Sequence, residues 1–197
     1  MENEEKVLSA QESLRVIRET IDLAKSGFRE DGFHFLLWGW LVAIASAADW
    51  YFAVIQQDER HSMAWMLMFV GVPISLIREA RRGKQEKVQN IVRAWYGKIW
   101  LGYGISMILA IPIISRTGLS PVPAILILTG FATYMSGILL KFQPLLIGAA
   151  VFWAGALWCV FLSNPQHLLV ESAAAVLGYL IPGYLLNAQS KSYVSRA

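Results

Sequence analysis

The sequence predicts an all-α integral membrane protein with six transmembrane helices. Of its 197 residues, 56% are hydrophobic and only 16% are charged, and eight are tryptophan. Six apolar runs approach or reach the length of about 20 residues that a helix needs to cross a bilayer. They lie at residues 34–55, 62–77, 98–115, 121–140, 144–162 and 167–186. This composition is not that of a soluble domain.

The positions of the basic residues predict how these helices are oriented. Fifteen of the 17 lysines and arginines lie in the amino-terminal segment, in or next to the second and fourth connections, and in the tail. Only Arg60 and Arg116 lie in the remaining connections. Because basic loops stay on the cytoplasmic side of a membrane, we expect both termini in the cytoplasm. The acidic amino terminus lacks the basic and apolar segments of a cleavable signal peptide.

The spacing of glycines and polar residues predicts three helical hairpins related as an internal repeat. Three glycines are each followed, 39 residues later, by a polar residue that ends the next span. The glycines are Gly39, Gly102 and Gly148, and the polar residues are Arg78, Lys141 and Asn187. The hairpins cover residues 34–78, 96–141 and 142–187. Parallel copies of one hairpin would form a bundle with pseudo-threefold character.

Two further helices are predicted on the cytoplasmic side. Residues 1–33 contain an amphipathic helix, because apolar residues recur at intervals of three and four and form a seam. The candidate interaction residues of this seam are Leu14, Ile17, Ile21 and Phe28. Residues 79–95 form a basic linker helix, and residues 188–197 form a cytoplasmic tail.

The charges of these two helices leave three arrangements open. Residues 1–31 carry a net charge of −3 and residues 78–98 a net charge of +5, so the two helices could pack on each other. The seam could instead pair with a second copy of the chain, giving a homodimer, or with a cytoplasmic protein partner. The basic linker could also lie on anionic lipid headgroups, because basic residues near a membrane surface are attracted to them.

Four ionisable residues form a candidate polar site. Asp49 and Glu171 are the two clear carboxylates inside the spans, and His61 and His167 are predicted at the same outer level. Ionisable groups within a membrane are functional candidates, and these four could converge into a proton-coupled or cation site. The aromatic pair after Asp49 instead indicates the headgroup level. From the sequence we prefer this second interpretation, in which both carboxylates are shallow and hydrogen-bond at the interface.

The sequence contains no enzyme signature. It lacks a zinc-binding His-Glu-x-x-His, paired cysteines, a phosphate-binding glycine loop and a serine nucleophile motif. We therefore expect no catalytic residues, no metal and no cofactor. Nucleic acid is not an expected partner, because no DNA- or RNA-binding fold is indicated. The expected partners are the lipid bilayer and one of the protein partners named above.

The segment "ESLRVIRETIDLAKSGFREDGFHFLLWGW", from Glu12 to Trp40, resembles the opening of a family of small bacterial six-span membrane proteins. These proteins, whose function is uncharacterised, have an amphipathic amino-terminal helix followed by an LLWGW-like first span. The resemblance implies a location in the bacterial plasma (inner) membrane and implies no activity.

Two functions remain open from the sequence. The preferred one is a non-enzymatic scaffold or regulatory component that acts through its cytoplasmic helices. It is motivated by the seam, by the complementary charges, and by an expected scarcity of buried polar groups. The alternative is a small transporter or channel in which Asp49 and Glu171 form a polar gate.

Overall fold

The computed structural model describes Arg15 and residues 32–83 and 91–194. The predicted amino-terminal helix with its seam residues Leu14, Ile17, Ile21 and Phe28 lies outside the described residues. Throughout the described ranges the chain is helical, with short connections and no strand. The prediction of an all-α protein is confirmed at this level.

The described residues form seven α-helices, and short segments of other helical geometry continue several of them. The α-helices are α1 (Phe33–Trp50), α2 (Met68–Gly83), α3 (Ile91–Ser115), α4 (Val122–Leu140), α5 (Gln143–Trp158), α6 (Asn164–Ala175) and α7 (Ile181–Val194). The π-helical segments are Tyr51–Ile55 and Val176–Leu180, and the 3-10 segments are His61–Leu67 and Cys159–Phe161.

Six of the resulting helical rods are long and apolar enough to cross a membrane, which confirms the predicted number of spans. We number them spans 1 to 6 in chain order. They cover Phe33–Ile55, His61–Arg81, Ala94–Ser115, Val122–Leu140, Gln143–Phe161 and Asn164–Ala188. Span 6 joins α6 and α7 through the second π-helical segment.

The described parts of the predicted linker helix are continuous with the neighbouring spans. Helix α2 continues from span 2 to Gly83, and α3 already begins at Ile91, ahead of span 3. Because each described end of the linker is part of a helix that also forms a span, the described residues contain no separate helix between 79 and 95.

Large apolar side chains cover the outside of the described bundle, as expected for a protein surrounded by lipid. Phe161 is 81% exposed, and Phe69 and Ile108 are also highly exposed. Such a surface would be costly in water but matches a hydrocarbon environment. The six spans therefore have the surface of a multi-pass membrane protein.

The packing is uneven among the spans. Span 4 packs most extensively on span 5, and span 1 packs along span 6. In the most apolar 18-residue stretch of each span, only 6% of the residues of spans 2 and 3 are buried, against 44% of those of spans 4 and 6. Spans 1, 4, 5 and 6 therefore form the centre of the bundle, and spans 2 and 3 lie at its edges.

Close contact between spans 5 and 6 depends on two glycines. A Cβ atom at Gly148 would overlap the carbonyl oxygen of Gly178, and a Cβ atom at Gly178 would overlap the ring of Phe152. By contrast, nothing lies within 4 Å of the corresponding position at Gly102. Equivalent glycines of the predicted hairpin repeat thus have different surroundings, and the repeat itself stays a prediction.

The centre of the bundle contains polar side chains, so the expected scarcity of buried polar groups is wrong. Seven polar residues are buried among the described residues. They are Ser46, Asp49, Thr129, Thr133, Ser136, His167 and Glu171. They come from three spans, two from span 1, three from span 4 and two from span 6, so each span remains mostly apolar in sequence.

Candidate functional site

The candidate site lies at the end of the bundle that carries Asp49, which we call the Asp49 end. Asp49 is in the last turn of α1 and is only 4% exposed. Its Oδ1 accepts a hydrogen bond from Nδ1 of His61 at 2.5 Å, and its Oδ2 accepts one from Nε1 of Trp65 at 2.7 Å. Both carboxylate oxygens therefore have a donor, which is the arrangement that a buried carboxylate requires.

The connection after span 1 positions His61. The carbonyl oxygen of Asp58 accepts the backbone N–H of His61 at 3.1 Å, while Oδ1 of Asp58 accepts the backbone N–H of Arg60 at 2.9 Å. This backbone hydrogen bond lowers the pKa of the Asp58 carboxyl. The turn holds the start of span 2 against the end of span 1.

His61 connects the buried carboxylate to the surface. Its side chain is 40% exposed, whereas that of Asp49 is 6% exposed. Because Nδ1 donates to Asp49, the second ring nitrogen, Nε2, is the atom that can exchange a proton with the surroundings. A proton can thus reach the Asp49 carboxylate through a single side chain.

Glu171 is the second buried carboxyl of this end. It lies on α6, is 2% exposed, and its Oε2 has no hydrogen-bond partner. Span 6, which carries Glu171, packs along span 1, which carries Asp49. In that contact the hydroxyl of Ser172 donates to the carbonyl oxygen of Ala43 at 2.9 Å. The two carboxyls are thus neighbours on two closely packed helices.

His167 precedes Glu171 by one helical turn and is also buried. Its Nε2–H donates to the carbonyl oxygens of Cys159 and Leu162, at 2.9 and 3.2 Å, because a carbonyl can only accept. In the neutral ring this assignment makes Nδ1 an acceptor, and Nδ1 has no partner. Residues one turn apart share a helix face, so the unpaired atoms of His167 and Glu171 belong to one region.

The four residues predicted from the sequence thus lie at the same end of the bundle, where Asp49, His167 and Glu171 are buried and His61 is partly exposed. His61 and Asp49 are hydrogen-bonded, Glu171 is on the span that packs along that of Asp49, and His167 shares a face with Glu171. Both carboxyls are buried within the protein. Their depth in the membrane, and with it the preferred interpretation of shallow carboxylates at the interface, stays a prediction. Spans 1 and 6 pack on each other, and this contact buries polar side chains. A single apolar run in the sequence does not show which way such side chains point.

Sequence reasoning missed Trp65, which supplies the second donor to Asp49. It was assigned to an ordinary apolar span, whereas residues 61–67 form a 3-10 helix that turns His61 and Trp65 toward span 1. The π-helical segments after Asp49 and after Ala175 were missed as well. Such segments are frequent near functional sites, and no local signal in the sequence predicts them.

The donor set is more suited to protons than to a metal ion. Among the described residues, no three histidine, cysteine, aspartate or glutamate side chains are grouped so that they could hold a metal. The site instead contains hydrogen-bonded titratable groups and two unpaired polar atoms. No family model, curated protein or solved structure matches this chain.

Proposed function

We propose that this chain is a small membrane transport protein that moves protons, with Asp49 and Glu171 as its polar gate. The observation that carries the proposal is the buried, unpaired Oε2 of Glu171 beside the hydrogen-bonded pair of Asp49 and His61. A carboxyl without a partner in an apolar interior is stable only when it holds a proton or a cation. Structural packing alone does not require such a group.

The arrangement supports a stepwise uptake of protons. His61 is accessible and can take a proton at Nε2, and its Nδ1–H is already directed at Asp49. From Asp49 the next acceptors are the carboxyl of Glu171 and the bare Nδ1 of His167. Two neighbouring carboxyls are unlike in their surroundings, because Asp49 has two donors and Glu171 has an unpaired oxygen. This difference allows one to be ionised while the other holds a proton.

Proton flux through purified protein in liposomes tests the proposal. A dye inside the vesicles reports the pH while a potassium gradient with valinomycin supplies the driving voltage. We expect acidification with the wild-type chain and a loss of about 100-fold with Glu171→Gln or Asp49→Asn, because each removes a proton-binding group. Glu59→Gln is the matched control, since Glu59 is an exposed carboxylate in the same connection.

Two results would overturn the proposal. One is a wild-type rate equal to that of empty vesicles. The other is a wild-type rate that both buried-carboxyl variants retain. In either case, Asp49 and Glu171 would be structural residues.

A scaffold or regulatory role is the second candidate function, and one observation favours it. Spans 2 and 3 bury little of their surface, and the backbone at Gly97, Gly102 and Gly104 of α3 is open. Helices approach closely where small residues leave the backbone open, so α3 can accept a further helix from a second copy. Deleting residues 1–30 and measuring the oligomeric state in detergent tests this role. An unchanged state and unchanged pull-down partners would contradict it.

The proposed setting is the bacterial plasma membrane, with both termini in the cytoplasm and the Asp49 end outside. The distribution of basic residues supports this orientation, because Arg60 and Arg116 are the only lysines or arginines in the connections at the Asp49 end. A cysteine-labelling experiment with a membrane-impermeant reagent tests it. Labelling of a cysteine at Glu59 in intact cells is expected, and labelling only after lysis would reverse the orientation.

A further inference from the structure

The interior of the bundle contains a second group of polar side chains deeper than Glu171. Tyr103 of α3 and Thr129 of α4 are hydrogen-bonded through their hydroxyls at 2.9 Å. Thr133, one turn further along α4, is fully buried and donates to the carbonyl oxygen of Thr129 at 2.7 Å. Tyr179 lies near Thr133 and is 4% exposed. We call these four residues the hydroxyl cluster.

This hydroxyl cluster adjoins the helix that carries Glu171. Tyr103 is hydrogen-bonded to Thr129 of α4, and α4 packs on α6. Glu171 and Tyr179 are both on span 6, and eight residues of helix correspond to about 12 Å along its axis. The ring of Tyr103, on span 3, is linked to that of Tyr179 through Trp100, whose ring centroid lies 5.2 Å from the first and 6.4 Å from the second. The polar groups therefore continue from the Asp49 end toward the opposite end.

Two buried atoms in this region lack the partners that they require. The hydroxyl of Tyr179 and the Nε1–H of Trp100 have no hydrogen-bond partner. The two rings are adjacent, with centroids 6.4 Å apart. Buried polar atoms without a protein partner commonly bind internal water. An indole N–H can only donate, whereas a tyrosine hydroxyl both donates and accepts, so Tyr179 can pass a proton and Trp100 can only hold a water in place.

The backbone at Tyr179 departs from regular α-helical geometry. Tyr179 lies in the π-helical segment Val176–Leu180, which interrupts span 6. The neighbouring Gly178 makes the close backbone contact with Gly148 of span 5. A π-helical segment widens the helix by one residue and changes the direction of the side chains within it. This segment brings Tyr179 into the interior beside Thr133.

The opposite end of the hydroxyl cluster reaches a less buried residue. Tyr96, near the start of span 3, is partly exposed. Its ring packs on Trp100, with centroids 5.9 Å apart, and Trp100 in turn packs on Tyr179. Accessible side chains therefore lie at both ends of the line, with His61 at the Asp49 end and Tyr96 at the other.

From this juxtaposition the geometry points to a proton path through the bundle that runs from Glu171 through Tyr103, Thr129 and Tyr179 to Tyr96, completed by internal water. Each hydroxyl accepts a proton from one side and releases its own to the other, so the net transfer is one proton with no change in oxidation state. The inference rests on the proposed function and adds the half of the path away from the Asp49 end.

The bundle around Glu171 carries further titratable groups on several elements. Asp49 is on span 1, Tyr103 is on span 3, Cys159 directly follows α5, and His167 is on α6 itself. His61 acts through Asp49. Of these described groups, Tyr103 is the one hydrogen-bonded to the hydroxyl of Thr129, so the path assigns its hydroxyl as the next protein group for a proton that leaves Glu171 away from Asp49.

Variants that remove single hydroxyls test this path in the liposome assay described above. Tyr103→Phe, Thr129→Val and Tyr179→Phe keep the shape of the side chains. We expect each to reduce the proton flux about 100-fold, because each removes one group that relays a proton. Tyr134→Phe is the matched control on α4, since Tyr134 packs on Trp153 away from the path. It should retain the wild-type rate.

Infrared difference spectroscopy separates this inference from the proposed function. The band of the protonated carboxyl, assigned with Glu171→Gln, should still titrate with pH in Tyr103→Phe, because protons reach Glu171 from the Asp49 end. Lost flux with a retained band supports the inference. Retained flux in all three hydroxyl variants overturns it while the gate of Asp49 and Glu171 stands. Absence of both flux and band in the wild-type chain overturns the proposed function itself.

Discussion

The Nδ1–H of His61 donates to Oδ1 of Asp49 across 2.5 Å and thereby joins the start of span 2 to the end of span 1. One partner is 40% exposed and the other is buried. Span 2 has little other buried surface, so this hydrogen bond and that of Trp65 are its main polar attachments at the Asp49 end. The same contact serves as attachment and as the entry to the candidate site.

Removing the Asp49 carboxylate should destabilise the protein. Asp49→Ala leaves the Nε1–H of Trp65 buried without an acceptor and removes the acceptor of His61. We expect a loss of about 2 kcal/mol, which for a chain of this size lowers Tm by about 4–8 °C. Thermal unfolding in detergent, followed by intrinsic fluorescence, measures it. Glu59→Ala should leave Tm unchanged, and an equal fall in both variants would contradict the prediction.

Replacing Glu171 should have the opposite effect on stability. Because Oε2 of Glu171 has no partner, the wild-type protein carries the cost of burying it. Glu171→Leu removes this polar group, and we expect a gain of about 1–3 kcal/mol together with loss of proton flux. The same unfolding assay measures the change. A marked decrease in Tm would indicate that Glu171 is a structural partner in the bundle.

Two of the three glycines of the predicted repeat, Gly148 and Gly102, should respond differently to alanine. At Gly148 an added Cβ atom overlaps the Gly178 carbonyl oxygen, so Gly148→Ala should cost about 1–3 kcal/mol. At Gly102 the space is open, so Gly102→Ala should be neutral or stabilise helix α3 by up to about 1 kcal/mol. Thermal unfolding of both variants provides the comparison. Equal losses would mean that α3 packs against a helix at Gly102.

The turn before span 2 should weaken in acid. The backbone hydrogen bond from Arg60 lowers the pKa of Asp58, so the ionised carboxylate stabilises the turn above the ordinary aspartate pKa. This stabilisation is lost as the pH falls through the lowered value. Hydrogen exchange of the Arg60 amide should therefore show protection at neutral pH that declines in acid. Asp58→Ala should lack the protection at every pH, and Asp58→Asn should keep it without the acid-dependent decline.

The sequence by itself determined that this protein is all-helical and has six helices suited to a lipid environment. Its apolar runs specify membrane-crossing helices because a backbone in lipid must satisfy its own hydrogen bonds, and only the length and apolarity of a run enter that requirement. Asp49, His61, His167 and Glu171 were also evident as candidates, since ionisable residues are rare in such runs.

Only the tertiary structure decided what these residues face. The packing of span 1 on span 6 buries Asp49 beside Glu171, and the 3-10 geometry of residues 61–67 directs Trp65 toward Asp49. The π-helical segment near Tyr179 likewise has no local pattern in the sequence. A uniformly apolar helix gives little indication of which face meets lipid, because both environments accept the same side chains. Contacts between distant segments therefore fix the polar interior.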